Sequence, residues 1–414
     1  MKFQIRSVLF LGIGGVSMHQ LALAFKSLGV KVFGYDAHEN LYTKECEKAG
    51  IFVTNKFLKD FTFVDLCVKT GAICEDNKYI QLLKAKCVKI VDRAEVLSWF
   101  CTKFKTVIAV SGTHGKSTTS ALIYEMLKEQ YKNVSCHIGA DIKNERFVLG
   151  DDFLVVEACE YNKSFLSLYP DVSVVTNVEA EHMDCYENLF DLKMSFIKFL
   201  KRANTRFVFR EQSTRFLKRY KWINFVDKTD IALSPKIKGE HNLKNISLAI
   251  AVAKHFGVED SKIVSVVNNF EGVARRYEYI GKYNQSRIYI DYAHHPTEVK
   301  AFLDTFCLEY VDKQIVFQPH TFSRTKMFLK EFVSLFADLK NPIIFKEYSA
   351  REKKSAGVSA KVLFHEIKKV NSSVKYCASY RSVLKHLKQN DAVAFVGAGN
   401  INLVAEKIVN QDKK

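Results

Sequence analysis

Nine consecutive residues limit what this chain can be: Ser111-Gly112-Thr113-His114-Gly115-Lys116-Ser117-Thr118-Thr119. An apolar run, Val107 to Val110, leads into them, and a helix-compatible run, Ser120 to Leu127, leads out. Strand, glycine turn and helix in that order make a phosphate-binding loop credible. Gly112 and Gly115 let backbone N–H groups approach a triphosphate with no Cβ in the way. Those N–H groups sit at a helix N-terminus, where unpaired donors and the helix dipole favour an anion. Lys116 would reach the β- and γ-phosphates, and the Ser117 hydroxyl would bind Mg²⁺. The longer form of this loop asks for a glycine where the chain has Val110, so only the tight Gly-Thr-His-Gly-Lys-Ser remains, followed by Thr118. A chance turn is the competing reading.

The chain has 414 residues, too many for one ordinary core, so two or three domains are expected. Its net charge of +17 suits anionic partners, nucleotides or nucleic acid. The densest positive stretch, Lys201 to Lys221, reads as a solvated face, with no aromatic-basic nucleic-acid signature. The ten cysteines include no Cys-x-x-Cys pair and read as reduced thiols, which excludes a disulfide scaffold. No signal peptide is expected, and no apolar run is long enough to span a bilayer. A cytoplasmic protein without membrane insertion follows.

Val8 to Leu11 precedes Gly12-Ile13-Gly14-Gly15, a helical pattern from Ser17 to Leu28, and a second strand ending at Tyr35-Asp36. This βαβ start, with an acid about 20 residues on, suits a ribose-bearing ligand. Ser17 stands where a full dinucleotide fingerprint wants glycine, which disfavours NAD(P). Another nucleotide diphosphate, or a plain βα turn, explains the same residues. Further strand ends carry Thr70-Gly71-Ala72 and Arg93-Ala94-Glu95. Glu157 closes the run Phe153 to Val156 and is a candidate Mg²⁺ ligand or water anchor. His182, after Val172 to Asn177, would be structural alone; beside Glu157 and Lys116 it becomes a second metal candidate. Glu240-His241-Asn242 opens a helix and could simply cap it. Three later strands each run into a polar cluster and a helix: Asp291 to Pro296, Gln318 to Arg324, and Gly397 to Asn400. That repetition predicts a third parallel α/β unit with His, Asp and Arg on its ligand edge.

These stretches, taken together, resemble the Mur ligase family in order and content. Gly12-Ile13-Gly14-Gly15, Gly112 to Thr118, Glu157-Ala158-Cys159-Glu160, Thr176-Asn177 with His182-Met183-Asp184, Gly239 to Asn242 and Arg275 to Glu278 all fall in family sequence. The most specific strings are Asp291-Tyr292-Ala293-His294-His295-Pro296 and Gln318-Pro319-His320-Thr321-Phe322-Ser323-Arg324, which point to the branch that adds L-alanine. The resemblance implies an α/β protein of three domains: residues 1–102, Rossmann-like, for the UDP-substrate; 103–271, ATPase-like, for ATP; and 272–414, Rossmann-like. It implies ATP and Mg²⁺ as cofactors, with UDP-N-acetylmuramate and L-alanine as substrates, no nucleic acid, and a monomer or homodimer. The reaction would pass through an acyl phosphate at the lactyl carboxylate.

By the same resemblance, Lys116, Glu157, His182, Arg276, His294 and Arg324 are catalytic, and Ser117, Glu157 and His182 hold the metal. Gly112, Thr113, His114, Gly115, Lys116, Ser117 and Thr118 hold ATP, with Asn242 facing adenine and Asp291 the ribose. Gly12, Ile13, Gly14, Gly15, Asp36, Thr70, Ala72 and His320 contact substrate. The third domain would close about a hinge near Gly272. The chain departs from the family at Ser17 and His19, which replace small residues, and at Ser117, which replaces threonine. It is also short, with the loss placed between His182 and Lys238. Three rivals stand beside this reading: the recycling ligase that adds a tripeptide, an NAD(P)-dependent oxidoreductase built on the first loop, and a non-catalytic nucleotide-binding regulator.

Overall fold

Uninterrupted apolar runs such as Val8 to Leu11 and Val107 to Val110 become strands buried on both faces, as parallel sheets require. The computed structural model describes residues 5–71, 73–140, 152–183, 185–350, 352 and 357–411, and the expected substrate contact Ala72 lies outside them, as does Asp184. Two compact units emerge: residues 1–234 with 243–270, and residues 235–242 with 271–414.

The first unit holds two sheets. The first is built from β1 (Ser7–Leu11), α1 (Val16–Ser27), β2 (Lys31–Tyr35), α2 (Leu41–Lys48), β3 (Phe52–Thr54), β4 (Leu66–Lys69), α3 (Lys78–Ala85), β5 (Lys89–Asp92) and α4 (Arg93–Cys101). Its order is β3-β2-β1-β4-β5, all parallel. The strand order reverses between β1 and β4, so their carboxyl ends open a crevice where such sheets bind ligands. In α1, Met18, Leu21, Ala22 and Phe25 are buried at helical spacing and seat the helix on the sheet.

The second sheet is built from β6 (Thr106–Ser111), α5 (Lys116–Lys128), β7 (Val134–His137), β8 (Phe153–Glu157), β9 (Val172–Val175), α6 (Leu189–Lys201), β10 (Thr205–Phe209), β11 (Asn224–Val226), α7 (Glu240–His255) and α8 (Asp260–Asn269). Its order is β11-β10-β9-β6-β8-β7, again all parallel.

The two sheets share one continuous core, from Phe10, Phe25 and Phe100 through Phe104 and Val107 to Phe165 and Phe196. A polar seam crosses it. Ser17 Oγ lies 3.0 Å from His137 Nε2 and accepts from Arg93 Nη1 at 2.9 Å. Gln20 donates to the Ile138 carbonyl at 3.2 Å, and Ser98 Oγ to the Ser167 carbonyl at 2.6 Å. Ser17, the residue that spoils the dinucleotide fingerprint, therefore ties the first glycine loop's helix to the second sheet.

Burial, reinforced by the Arg93 cation, pushes His137 from 6.5 down to about 4. The imidazole is neutral in the fold but takes a proton in the unfolded chain below its ordinary value. Stability from this group is thus complete above pH 6.5 and is lost as pH falls toward 4, by up to about 3 kcal/mol. The urea midpoint of His137→Asn, which cannot titrate, will vary less over that window than the parent's. Equal slopes would remove His137 as the cause.

The second unit continues with β12 (Glu278–Tyr283), β13 (Ser286–Asp291), α9 (Pro296–Glu309), β14 (Lys313–Phe317), α10 (Phe322–Met327), α11 (Leu329–Phe336), β15 (Ile343–Phe345), α12 (Ala360–Val370), β16 (Lys375–Cys377), α13 (Tyr380–His386), β17 (Ala392–Val396) and α14 (Ile401–Gln411). Its sheet runs β12-β13-β17-β14-β15-β16, parallel except for the β12–β13 hairpin. Phe302, Phe306, Phe317, Phe332 and Phe336 pack one face, and Ile288, Val316, Phe395, Ile401 and Ile408 the other.

Candidate active site

The order β8-β6-β9 sets three carboxyl ends side by side. β6 delivers the glycine loop, β8 delivers Glu157 and then Glu160, and β9 delivers Thr176-Asn177 ahead of Glu181-His182. The loop adopts a shape that only glycine tolerates at two points. Gly112 has φ +136° and a Cβ there would collide with Thr176 Oγ1; Gly115, at φ +82°, precedes α5 and a Cβ would collide with Asn245 Oδ1. The turn is braced from β9. His114 N–H donates to Asn177 Oδ1 at 2.8 Å, Asn177 Nδ2 returns a bond to the His114 carbonyl at 3.1 Å, and Thr176 Oγ1 donates to the same carbonyl at 2.5 Å.

Lys116 turns back over this loop. Its ammonium donates to the Gly112 carbonyl at 2.6 Å, the Thr113 carbonyl at 3.0 Å and Glu160 Oε1 at 3.1 Å. Burial by itself would pull its pKa down; the Glu160 carboxylate, helped by Cys159, Glu157 and Glu181, holds it above the usual lysine range. The lysine is a fixed cation. Glu160, only 1% exposed, also faces His182, whose Nε2 lies 3.6 Å from Oε1. One donor atom each from Glu160, Glu181 and His182 lies within 4.8 Å of the others. His182 holds the left-handed backbone, φ +57°, a strain that a non-glycine residue keeps where surrounding structure demands it. Beside this group, Ser117 Oγ donates to Glu157 Oε2 at 2.8 Å, and Gly139 N–H donates to the same oxygen at 2.9 Å. The expected metal ligands therefore fall into two adjoining sets: Ser117 with Glu157, and His182 with Glu160 and Glu181. The carboxylates and the hydroxyl are the hard oxygen donors that Mg²⁺ takes, and the imidazole beside them is a borderline donor.

In the first sheet the Gly12–Gly15 loop is held by its neighbours. Gly12 and Ile13 N–H groups donate to the Tyr35 carbonyl at 2.7 and 3.2 Å, and Gly14 N–H donates to Asp36 Oδ2 at 2.8 Å. Asp36 is thus placed on the loop's own Gly14 amide. Asn40 caps α2 and donates to the Gly14 carbonyl at 3.0 Å. Thr70 N–H donates to the Leu11 carbonyl at 3.3 Å, across the crevice mouth from β2. His19, the second departure from the family, lies 3.1 Å from Glu45.

The second unit gathers its expected residues along the ends of β13, β17 and β14. Arg276 lies 3.3 Å from Glu298 and stacks over Tyr292. His294 Nδ1 lies 3.2 Å from Glu298, and its ring stands 5.4 Å from that of His320. Arg324 Nη1 contacts His320 Nδ1 at 2.9 Å, and His320 stacks on Tyr348. Asp291 accepts the Tyr277 and Ala293 N–H groups, both at 2.7 Å, and burial, opposed by Arg276, raises it to about 6. The structure therefore places Asp291 on its own backbone. Asn242 donates to the Lys238 carbonyl at 2.7 Å, at the start of α7.

Family models match three consecutive stretches: residues 7–105 as the Mur ligase family catalytic domain, 110–224 as the Mur ligase middle domain, and 275–399 as the Mur ligase glutamate ligase domain. The UDP-N-acetylmuramate–L-alanine ligase of Caldicellulosiruptor bescii is 33% identical over 449 aligned positions, covering 97% of this chain and 98% of that protein. The enzyme of the same description from Caldanaerobacter subterraneus is 32% identical, covering 99% of each. The chain belongs to the Mur ligase family. Among solved structures, the UDP-N-acetylmuramate-alanine ligase of Thermotoga maritima superposes with a TM-score of 0.86 at 22% identity, over 99% of both chains. A murein peptide ligase from Psychrobacter arcticus gives 0.72 at 20% identity, over 98% of both. At these identities the two superpositions speak for the fold. All three sheets of the Mur ligase are accounted for by them. The 449 aligned positions exceed this chain's 414 residues, so the Caldicellulosiruptor ligase carries segments that this Mur ligase lacks.

Three further residues stand in this Mur ligase's candidate site without a role assigned from sequence. Glu160 belongs to the Glu157-Ala158-Cys159-Glu160 string, and it is the residue Lys116 and His182 both face. Glu181 stands next to His182, and Asn245, one helical turn after Asn242, lies against Gly115. The available signal was local: an acid three residues past Glu157, and a second asparagine at helical spacing.

Proposed function

We propose that this Mur ligase joins L-alanine to the lactyl carboxylate of UDP-N-acetylmuramate, splitting ATP to ADP and phosphate, as the first peptide step in building a peptidoglycan precursor. What carries the reading is the 33% identity to an alanine-adding ligase over nearly the whole of both chains. A carboxylate is a poor electrophile, so amide formation needs activation. Transfer of the γ-phosphoryl group to the lactyl oxygen gives an acyl phosphate; the alanine amine then attacks the acyl carbon and phosphate leaves.

The residues divide that work. The Gly112–Thr118 loop offers backbone N–H groups at the start of α5 to the triphosphate. Lys116, held charged by Glu160, neutralises the phosphoryl oxygens as charge shifts onto them. Ser117, Glu157 and His182, joined by Glu160 and Glu181, would hold Mg²⁺. When bound, that ion would supply charge neutralisation for the phosphoryl oxygens. The Gly12–Gly15 loop would take the UDP diphosphate, with Asp36 near the uridine and Thr70 at the crevice mouth. The His294, His320 and Arg324 cluster has the chemistry to hold a carboxylate, and Arg276 a phosphoryl oxygen. ATP and a UDP-sugar as substrates support a cytoplasmic reaction. Among the described residues no helix is long and apolar enough to cross a membrane.

The test is phosphate release from ATP with UDP-N-acetylmuramate, adding one amino acid or peptide at a time. L-Alanine will support turnover, and the tripeptide used by recycling ligases will not. Turnover with the tripeptide alone would move the assignment to that branch. Nicotinamide binding without ATP consumption would discard it.

A further inference from the structure

We propose that the β10–β11 margin of the second sheet is a docking surface for anionic lipid membranes. Five of the chain's fourteen arginines fall between Arg202 and Arg219. The fold lays three of them, Arg206, Arg210 and Arg219, on an aromatic shelf. Phe216, Tyr220, Trp222 and Phe225 pack their inner sides against the shared core. Their exposed sides carry cations: Lys193 over Phe216 at 5.2 Å, Arg219 over Tyr220 at 5.0 Å, Arg206 over Trp222 at 5.1 Å, and Arg210 over Phe225 at 5.0 Å. Arg202 lies 4.5 Å from the ring of Tyr169, which is 70% exposed.

Little opposes this charge. Between Lys201 and Lys221 the single acid is Glu211, and it is paired with Lys244. Among the described residues, Lys201, Arg202, Arg206, Arg215, Arg219 and Lys221 form no ion pair; Arg210 alone has one, with Asp227. Stacked guanidiniums are held in place, so less freedom is lost when they meet an anionic surface. Unpaired cations within a Debye length of anionic headgroups are attracted additively, and amphipathic Arg and Trp side chains suit the headgroup layer. A single-stranded nucleic acid would need open ring faces for its bases, and here cations occupy them. The partner is therefore a lipid surface carrying phosphate diesters, met by adsorption without insertion.

Sedimentation of the full chain with vesicles tests this. At about 50 mM salt it will pellet with phosphatidylcholine vesicles containing about 30% phosphatidylglycerol and stay in solution with pure phosphatidylcholine. Raising salt to about 300 mM will lower binding about tenfold or more. The variant Arg215→Gln/Lys218→Gln/Lys221→Gln, at exposed positions away from the catalytic loop, will lose vesicle binding about fivefold or more and keep ligase turnover. A single Lys218→Glu variant reads the same direction should the triple variant fail to fold. Indifference of the parent to phosphatidylglycerol overturns the proposal, as does undiminished binding by the variants. Tighter binding to single-stranded DNA than to the vesicles at equal salt also overturns it.

Discussion

Lys116→Ala will lose about a thousandfold or more in turnover, while affinity for the UDP-sugar stays within a few fold of the parent. The lysine bends back over the phosphate loop, 2.6 Å from the Gly112 carbonyl and 3.1 Å from Glu160. On the proposed reading its charge meets the negative charge that the transferred phosphoryl group gains, so its removal acts on the chemical step. The UDP-sugar, on the proposed reading, is held by the Gly12 loop on a different sheet. Phosphate release and calorimetric titration of the sugar separate the two effects. Retained turnover above about a tenth of the parent's would deny the lysine its role. Lost sugar binding would mean that the role is misassigned.

Glu160→Ala will both unfold the first unit more readily and stop catalysis. The carboxylate is 1% exposed and lies between Lys116 and His182. Without it the Lys116 ammonium is left among carbonyls with its main counter-charge gone, a change that costs about 3–5 kcal/mol when a buried pair is broken on one side. Glu160→Gln keeps the volume and one acceptor, so it will be milder in stability, by about half, and still need more Mg²⁺ for any remaining turnover. Urea unfolding reads the first effect and Mg²⁺ titration of turnover the second. If Glu160→Ala is as stable as the parent, the pairing does not hold the loop. If the Mg²⁺ requirement of Glu160→Gln is unchanged, Glu160 is no part of the metal's surroundings.

Much of the fold was legible because buried parallel strands are written as unbroken apolar runs. Val8 to Leu11, Val107 to Val110, Val172 to Val175 and Ala392 to Val396 could be read directly. The edge strands β3, β11 and β16 could not. Each is only three residues long, with exposed or partly exposed positions, and depends on the neighbour it pairs with. The seam between the first two sheets was equally hidden. Ser17 looked like a flaw in a glycine pattern, and its partner His137 is 120 residues away.

What the residues determined on their own is local. Gly112, Gly115, Lys116 and Ser117 specify the phosphate loop because a left-handed turn feeding a helix N-terminus is set within one short segment. The cation's counter-charge and the candidate metal pocket were decided only by tertiary structure. Glu160 follows β8 and His182 follows β9, and nothing in their spacing says that both strands flank β6. The positions of charges that meet across a sheet depend on strand order, which is set by how three apolar layers bury their faces together. Lys116 could be read as a candidate phosphate ligand from its neighbours in the chain; that it is held charged by Glu160 is a property of the packed molecule.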